Sequence, residues 1–389
     1  MSPALRQHVR RTAQQQETAN IFKWIASRIE LDYAQDNRTD PINSRKEKTM
    51  PLDVQTDRLL RMNRERLRAP LSWVATTPEQ PYTNFGDGLS AIMVSSLAGM
   101  PVVRANFDED SERIVAVGTI GHGQKNGKLH FWGTGVDALR NPVTGDAPYS
   151  KPPNTEFNVY ATRGPNSAAT FRNAGIDAPD IFGDPVWLLP RIWPLDDVEK
   201  THDLGVILHI SELTEQGPGV GHRPEYGRYD IPEEWAGKVK IINTYCDATP
   251  DAMRAKVAEI VSCRRIVSTS LHGLVISETY GIPCAWFATY GPAEGEGAQL
   301  EINDPKSKID HRIADFYAGL GRSTINAYLS DRKFKSDWNA IIRFIDRRWR
   351  PVENYDGDAL LRAFPLPLAV DPDAARWDID PSIWQNIEF

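Results

Sequence analysis

The sequence predicts an α/β protein built from two Rossmann-like units that face each other across a cleft. Three observations predict it. From Leu71 onward, short β-branched runs alternate with apolar helical stretches, the pattern of βαβ units around a mostly parallel sheet. The alternation stops at the Pro-rich "DPVWLLPRIWPLDD" (184–197) and restarts at "DLGVILHI". The chain, at 389 residues, is also long for one ordinary core.

The strands of the first unit read as "LSWVAT", "MPVVRAN", "RIVAVGTI" (113–120), "LHFWGTGV" (129–136) and "FNVYATRG" (157–164). "LSAIMVSSLAG" and "NSAATFRNAG" read as helices between them. In the second unit "DLGVILHI", "KVKIINTY" and "RRIVS" (264–268) read as strands, with helices near 250–262 and over "LHGLVISETYG". The last of these is apolar almost all round, as a helix sunk between layers must be. "SDWNAIIRFIDRRW" reads as a further helix. The expected division is a polar extension over 1–69, units over 70–200 and 201–330, and a helix with a tail over 331–389 that packs across the body. Within the extension, "ANIFKWIASRIELDYA" (19–34) has helical apolar spacing and should dock on the body or a partner; Lys23 and Arg28 admit contact with a membrane surface.

Composition excludes several classes. The content is 41% hydrophobic and 25% charged, that of a globular protein, and the net charge of −7 offers no basic field for nucleic acid. Apolar runs are broken by Gly and Pro before they reach the length of a membrane span, and no apolar segment follows the N-terminus as a secretory signal would. Three scattered cysteines, Cys246, Cys263 and Cys284, read as buried free thiols, which fits a reducing cytoplasm. The eight histidines show no HxxxH or HExxH spacing. The DxD pairs Asp108/Asp110 and Asp356/Asp358 are too short a motif to signal a metal, so none is expected.

Ligands of doubly wound sheets bind beyond the carboxyl ends of the strands. The polar turns at those ends are "TNFGDG", "GTIGHG", "WGTG", "TRGPNS", "HIS" and "TSLHG". "GHGQKNG" (121–127) lacks GxGxxG spacing and reads as a turn. His272 falls in the first turn of the apolar helix, beside backbone N–H groups without partners, with Ser270 placed to cap it. It is either a buried histidine bonding a carbonyl, or a phosphate partner or general acid. Arg163 closes a strand and either pairs with a carboxylate or clamps an anionic ligand. Asp87 is either the cap of a helix beginning near Gly88 or a group that orients or deprotonates a hydroxyl. Asn84 is either an Asx-turn former or a hydrogen-bond partner of a polar ligand. His209 lines the pocket or the core, and Gly86, Gly133 and Gly135 are positions where a ligand approaches the backbone.

Taken in order, "NFGDGLS", "VAVGTI", "WGTGV", "TRGPNS", "GDPVWLLP" and "SLHGLVISETYGIP" resemble the polysaccharide pyruvyltransferase family, from about Asn84 to about Gly321. The likeness is strongest to the branch acting on bacterial exopolysaccharide. It implies a GT-B-like architecture and transfer of pyruvate from phosphoenolpyruvate onto a sugar as a cyclic ketal. No cofactor is implied beyond that co-substrate. The implied partner is a saccharide acceptor, free or lipid-linked, in the cytoplasm or at the inner face of the membrane; an oligomer is open. For that reaction the residues expected to act are His272 and Asp87 as catalytic groups, Arg163, His209, Ser270, Arg264 and Arg265 toward the donor, and Asn84, Gly86, Gly133 and Gly135 toward the acceptor. Many members resemble "RLHG" where this chain has Ser270, a residue unable to make a bidentate charged contact. Arg163, Arg264 and Arg265 are the candidates to supply the charge. A sugar-nucleotide glycosyltransferase on the same architecture, or a catalytically silent glycan-binding or assembly protein, are the competing readings.

Overall fold

The structure, a computed structural model, describes residues 67–389 apart from Ala147 and Asn386. The helix expected over 19–34 lies outside the described residues. Strand β1 (Ala69–Ser72) is followed by a short strand β2 (Tyr82–Asn84) and helix α1 (Phe85–Ala98). Strands β3 (Val102–Arg104), β4 (Glu112–Val115), β5 (Gly127–Thr134) and β6 (Thr155–Thr162) join β1 in an all-parallel sheet of order β3-β1-β4-β5-β6. Helix α2 (Pro165–Asn173) leaves β6, and the Pro-rich connection forms a 3-10 turn over Pro185–Leu188 running into α3 (Leu189–Ile192).

The second half supplies β7 (Leu204–Ile207), β8 (Val239–Ile242), β9 (Tyr245–Asp247), α4 (Pro250–Val261), β10 (Ile266–Ser268) and α5 (Leu271–Thr279). It continues through β11 (Cys284–Ala288), β12 (Glu296–Glu301), α6 (His311–Gly319) and β13 (Thr324–Leu329). Its sheet has the order β12-β13-β11-β10-β7-β8, parallel except for β12 at one edge. Helices α7 (Trp338–Arg348), α8 (Asp358–Arg362) and α9 (Ser382–Gln385) follow.

The two halves are tied together by an element that alternation alone does not predict. β2 belongs to neither large sheet; it pairs antiparallel with β9, Thr83 opposite Cys246, and Phe85 N–H donates to Thr244 O at 3.0 Å. α1 therefore starts at the junction. Its sequence "FGDGLSAIMVSSLA" is buried at every position but Asp87, and Ser95 and Ser96 return their hydroxyls to Ala91 O and Ile92 O (2.6 and 2.7 Å), so neither buried hydroxyl is left unmet. Leu89 and Ile92 of α1 share one apolar cluster with Leu71, Val257, Leu274 and Ile276, which makes the core continuous between the sheets. The tail lies against the first half: Trp132 Nε1 donates to Leu360 O (2.8 Å), Ala369 N–H to Leu97 O (2.7 Å), and Trp384 meets Trp193 edge-on.

One boundary is corrected. The helix begins at Phe85 rather than near Gly88, and Asn84 is its cap, accepting Gly86 N–H at 3.1 Å. Asp87 thus sits in the first turn with its carboxylate free of capping duty.

Candidate active site

The residues after β4, β5, β6, β7 and β10 converge at the carboxyl ends of both sheets. Arg163 follows β6 and is fully buried. Its Nη1 donates to Thr119 Oγ1 at 2.7 Å, Nη2 lies 3.5 Å from Asp315 Oδ2, and neither Nε nor Nη2 has a hydrogen-bond partner. Gly135 gives the guanidinium its space, since a Cβ there would stand 2.4 Å from Arg163 Cζ.

His272 is the second residue of α5. The loop before it is set by Ser268, whose Oγ accepts Ser270 N–H (3.0 Å) and donates to Ser270 O (2.7 Å). Ser270 occupies the cap position, with extended backbone, but its hydroxyl makes no capping bond, contrary to the expectation. The His272 ring is buried, its Nε2 has no partner, and it lies over Gly86. Burial, then the charges of Arg163 and Arg312, push its pKa down to about 3, so the free protein holds a neutral imidazole.

Two carboxylates stand beside these cations. Asp87, partly open to solvent, is pushed up to about 6 by burial among neighbouring atoms; Arg312 opposes that rise and Asp184 adds to it. Asp184 is fully buried, caps the 3-10 turn through Val186 N–H at 3.0 Å and leaves Oδ2 without a partner. Burial raises it to about 6 as well, against the pull of Arg163.

Arg312, at the start of α6, completes the group. Asp310 grips it at 3.0 Å (Nε) and 2.7 Å (Nη2), and its Nη1 lies 3.4 Å from His209 Nε2. Burial would raise Asp310, but that fork outweighs it and holds the carboxyl at about 2. His209 is lowered by burial and by Arg312, and its Nδ1 is 2.8 Å from Ser211 Oγ.

Of the residues singled out in the sequence, Asp87, Arg163, His209, Ser270 and His272 come together here. Asn84 and Gly86 adjoin them, Asn84 as a cap and Gly86 as the floor under His272. Gly135 makes room for Arg163. Gly133, at φ +72, faces Pro185 and Gly183 O, so its freedom serves packing. Arg264 and Arg265 do not join the group. They precede β10, at the amino end of the strand, where Arg264 Nε lies 3.7 Å from Asp203 and Arg265 forks Asp346 at 2.5 and 2.8 Å. Sequence reasoning missed Arg312, Asp310 and Asp315, and quoted Thr119 and Asp184 only within motifs. Among the described residues no group of His, Cys, Asp and Glu could hold a metal ion.

The family model for polysaccharide pyruvyl transferase matches residues 84–290, more than half of the chain. The chain belongs to the polysaccharide pyruvyl transferase family. No curated protein and no solved structure matches it. The family match begins at the cap of α1 and spans Asp87, Arg163, Asp184, His209 and His272, whereas Arg312 and Asp315 lie beyond its end. No helix among the described residues is long and apolar enough to cross a membrane.

Proposed function

We propose that this pyruvyl transferase takes pyruvate from phosphoenolpyruvate and places it on a saccharide as a cyclic ketal. The observation that carries the reading is the pairing of Arg163 with His272. A fully buried guanidinium whose Nε and Nη2 make no hydrogen bond, Nη2 having only Asp315 Oδ2 at 3.5 Å, stands near a buried imidazole nitrogen without a partner, and these are donors that a bound anion would satisfy. Arg312 adds a second cation on the opposite half. A donor with a carboxylate and a phosphate offers one anionic group to each.

The chemistry balances on protein groups. A proton adds to the methylene carbon, and a sugar hydroxyl attacks the cationic C2. Phosphate then leaves with its bridging oxygen, and a second hydroxyl closes the ring. Of the two hydroxyl protons released, one replaces that delivered to the methyl group and the other departs with phosphate. Asp87, partly open toward solvent, is placed for the acceptor hydroxyls and is basic enough at about 6 to take a proton while remaining ionised at neutral pH. His272 serves the donor. Neutral in the free protein, it hydrogen-bonds phosphate through Nε2, and a bound multivalent anion offsets the two arginines and restores its basicity.

The facing sheets and the site at their carboxyl ends support a GT-B-like pair of Rossmann-like units, 70–200 and 201–330. The acceptor would be an exopolysaccharide unit, free or lipid-linked, met in the cytoplasm or at the inner membrane face. The test is a donor screen that scores inorganic phosphate from phosphoenolpyruvate against nucleoside diphosphate from sugar nucleotides. Phosphate release dependent on a saccharide acceptor is expected. Nucleoside diphosphate release instead would assign the site to glycosyl transfer.

A further inference from the structure

Asp315 lies in the second half of the chain, yet most of its bonds go to the first. Its Oδ1 accepts the N–H groups of Asn166 (2.9 Å) and Ser167 (3.1 Å), the free donors at the start of α2, and its Oδ2 accepts the Ser167 hydroxyl at 2.5 Å. Oδ2 also lies 3.5 Å from Arg163 Nη2. The carboxylate is buried, so this is a cap supplied in trans rather than a surface contact. The backbones meet with no room to spare: a Cβ on Gly164 would stand 1.9 Å from Asp315 O, and one on Gly319 would stand 2.3 Å from Arg163 O.

The same helix carries Arg312, three residues before Asp315, and its first residue His311 lies 3.9 Å from Asp137 of the first half. Helix α6 thus touches the first half at two places along its length, through His311 and through Asp315. We infer that Asp315 is a positioning residue: it latches α6 onto the start of α2 and so sets the spacing of the two cations, Arg163 and Arg312, that receive an anionic donor. The inference rests on the phosphoenolpyruvate reading for its functional consequence, but not for the latch itself.

The full-length protein is to be compared with Asp315→Ala, Asp315→Asn and Gly319→Ala by hydrogen–deuterium exchange without ligand and by equilibrium binding of phosphoenolpyruvate. Asp315→Ala should speed exchange in both 163–173 and 311–319, weaken phosphoenolpyruvate binding by about tenfold or more and, in steady-state kinetics, raise the donor KM far more than it lowers kcat. Gly319→Ala, which forces the backbones apart without touching a charge, should do the same. Asp315→Asn keeps an acceptor for the two amides and should fall between. Faster exchange confined to 163–173, with phosphoenolpyruvate affinity unchanged, would reduce Asp315 to a helix cap and overturn the inference. Should the wild type bind no phosphoenolpyruvate, the donor reading falls, and exchange alone decides the latch. It stands if both segments loosen together and fails if only one does.

Discussion

Gly86 supports the His272 ring so closely that a Cβ at Gly86 would stand 2.1 Å from Nδ1. The first turn of α1, from the junction of the two halves, is therefore the floor on which the imidazole of α5 rests. The ring is buried and cannot swing clear without displacing its neighbours.

It follows that Gly86→Ala should cost both turnover and, through overpacking, about 1–3 kcal/mol of stability, so turnover is to be read on the folded fraction. A shift of about 1 Å in a positioned group is worth about 100-fold in rate, and that is the expected loss in kcat. Gly221→Ala is the control, since a Cβ there meets nothing within 4 Å and turnover should not change. Equal activity in both variants would mean that the position of the His272 ring is not critical.

The neutral state of His272 gives a stability test. Its folded-state value of about 3 lies below the ordinary 6.5, so between those pH values the unfolded chain binds a proton that the folded chain refuses. Stability contributed by the neutral ring is full above pH 6.5 and is lost as pH falls. At pH 5 the loss is about 2 kcal/mol, at roughly 1.4 kcal/mol per unit. His272→Gln cannot titrate and should lose less stability than wild type between pH 7 and pH 5, measured by denaturant unfolding. Asp87 and Asp184, raised to about 6, act in the opposite direction, but they are present in both proteins and cancel in the comparison.

The arginines are expected to separate cleanly. Arg163→Ala and Arg312→Ala should each raise the donor KM by at least about tenfold, since each removes a charge facing the cluster. Arg265→Ala should leave donor kinetics alone and cost about 0–1 kcal/mol, because its partner Asp346 is half exposed at the far end of β10. Unchanged donor kinetics in Arg312→Ala would leave the charge missing at Ser270 to Arg163 alone.

How much of this was legible in the sequence follows from what is local. Strand and helix alternation is a local pattern, and the stretches holding Arg163, His209 and His272 each follow a strand of a large sheet; the stretch read as a turn around Asp87 is instead the end of β2 and the first turn of α1. The antiparallel pairing of β2 with β9 was not legible, since Thr83 and Cys246 meet across 163 residues with no periodicity to announce it. Arg264 and Arg265 are candidates for the missing charge on sequence alone, but three residues of extended strand carry them to the opposite end of the sheet. Arg312 and Asp315 had no signal at all: "DHRIADF" is an ordinary helix start until the first half is packed against it. The Gly86 and Gly135 turns were read as places where a ligand nears the backbone, whereas side chains of the protein itself fill those spaces.

The last expectation concerns Asp87 as the acceptor-side base. A base must be ionised, so kcat/KM should rise about tenfold per pH unit below about 6 and level above it. Asp87→Asn should remove that limb along with about 10²–10⁴ of the rate. Asp184 offers a sharper check. Its negative charge is one cause of the raised Asp87 value, so Asp184→Asn should make Asp87 a stronger acid and move the limb to lower pH. A limb that stays at about 6 in the residual activity of Asp87→Asn and vanishes in Asp184→Asn would exchange the two assignments, making the buried carboxylate the base and Asp87 its neighbour.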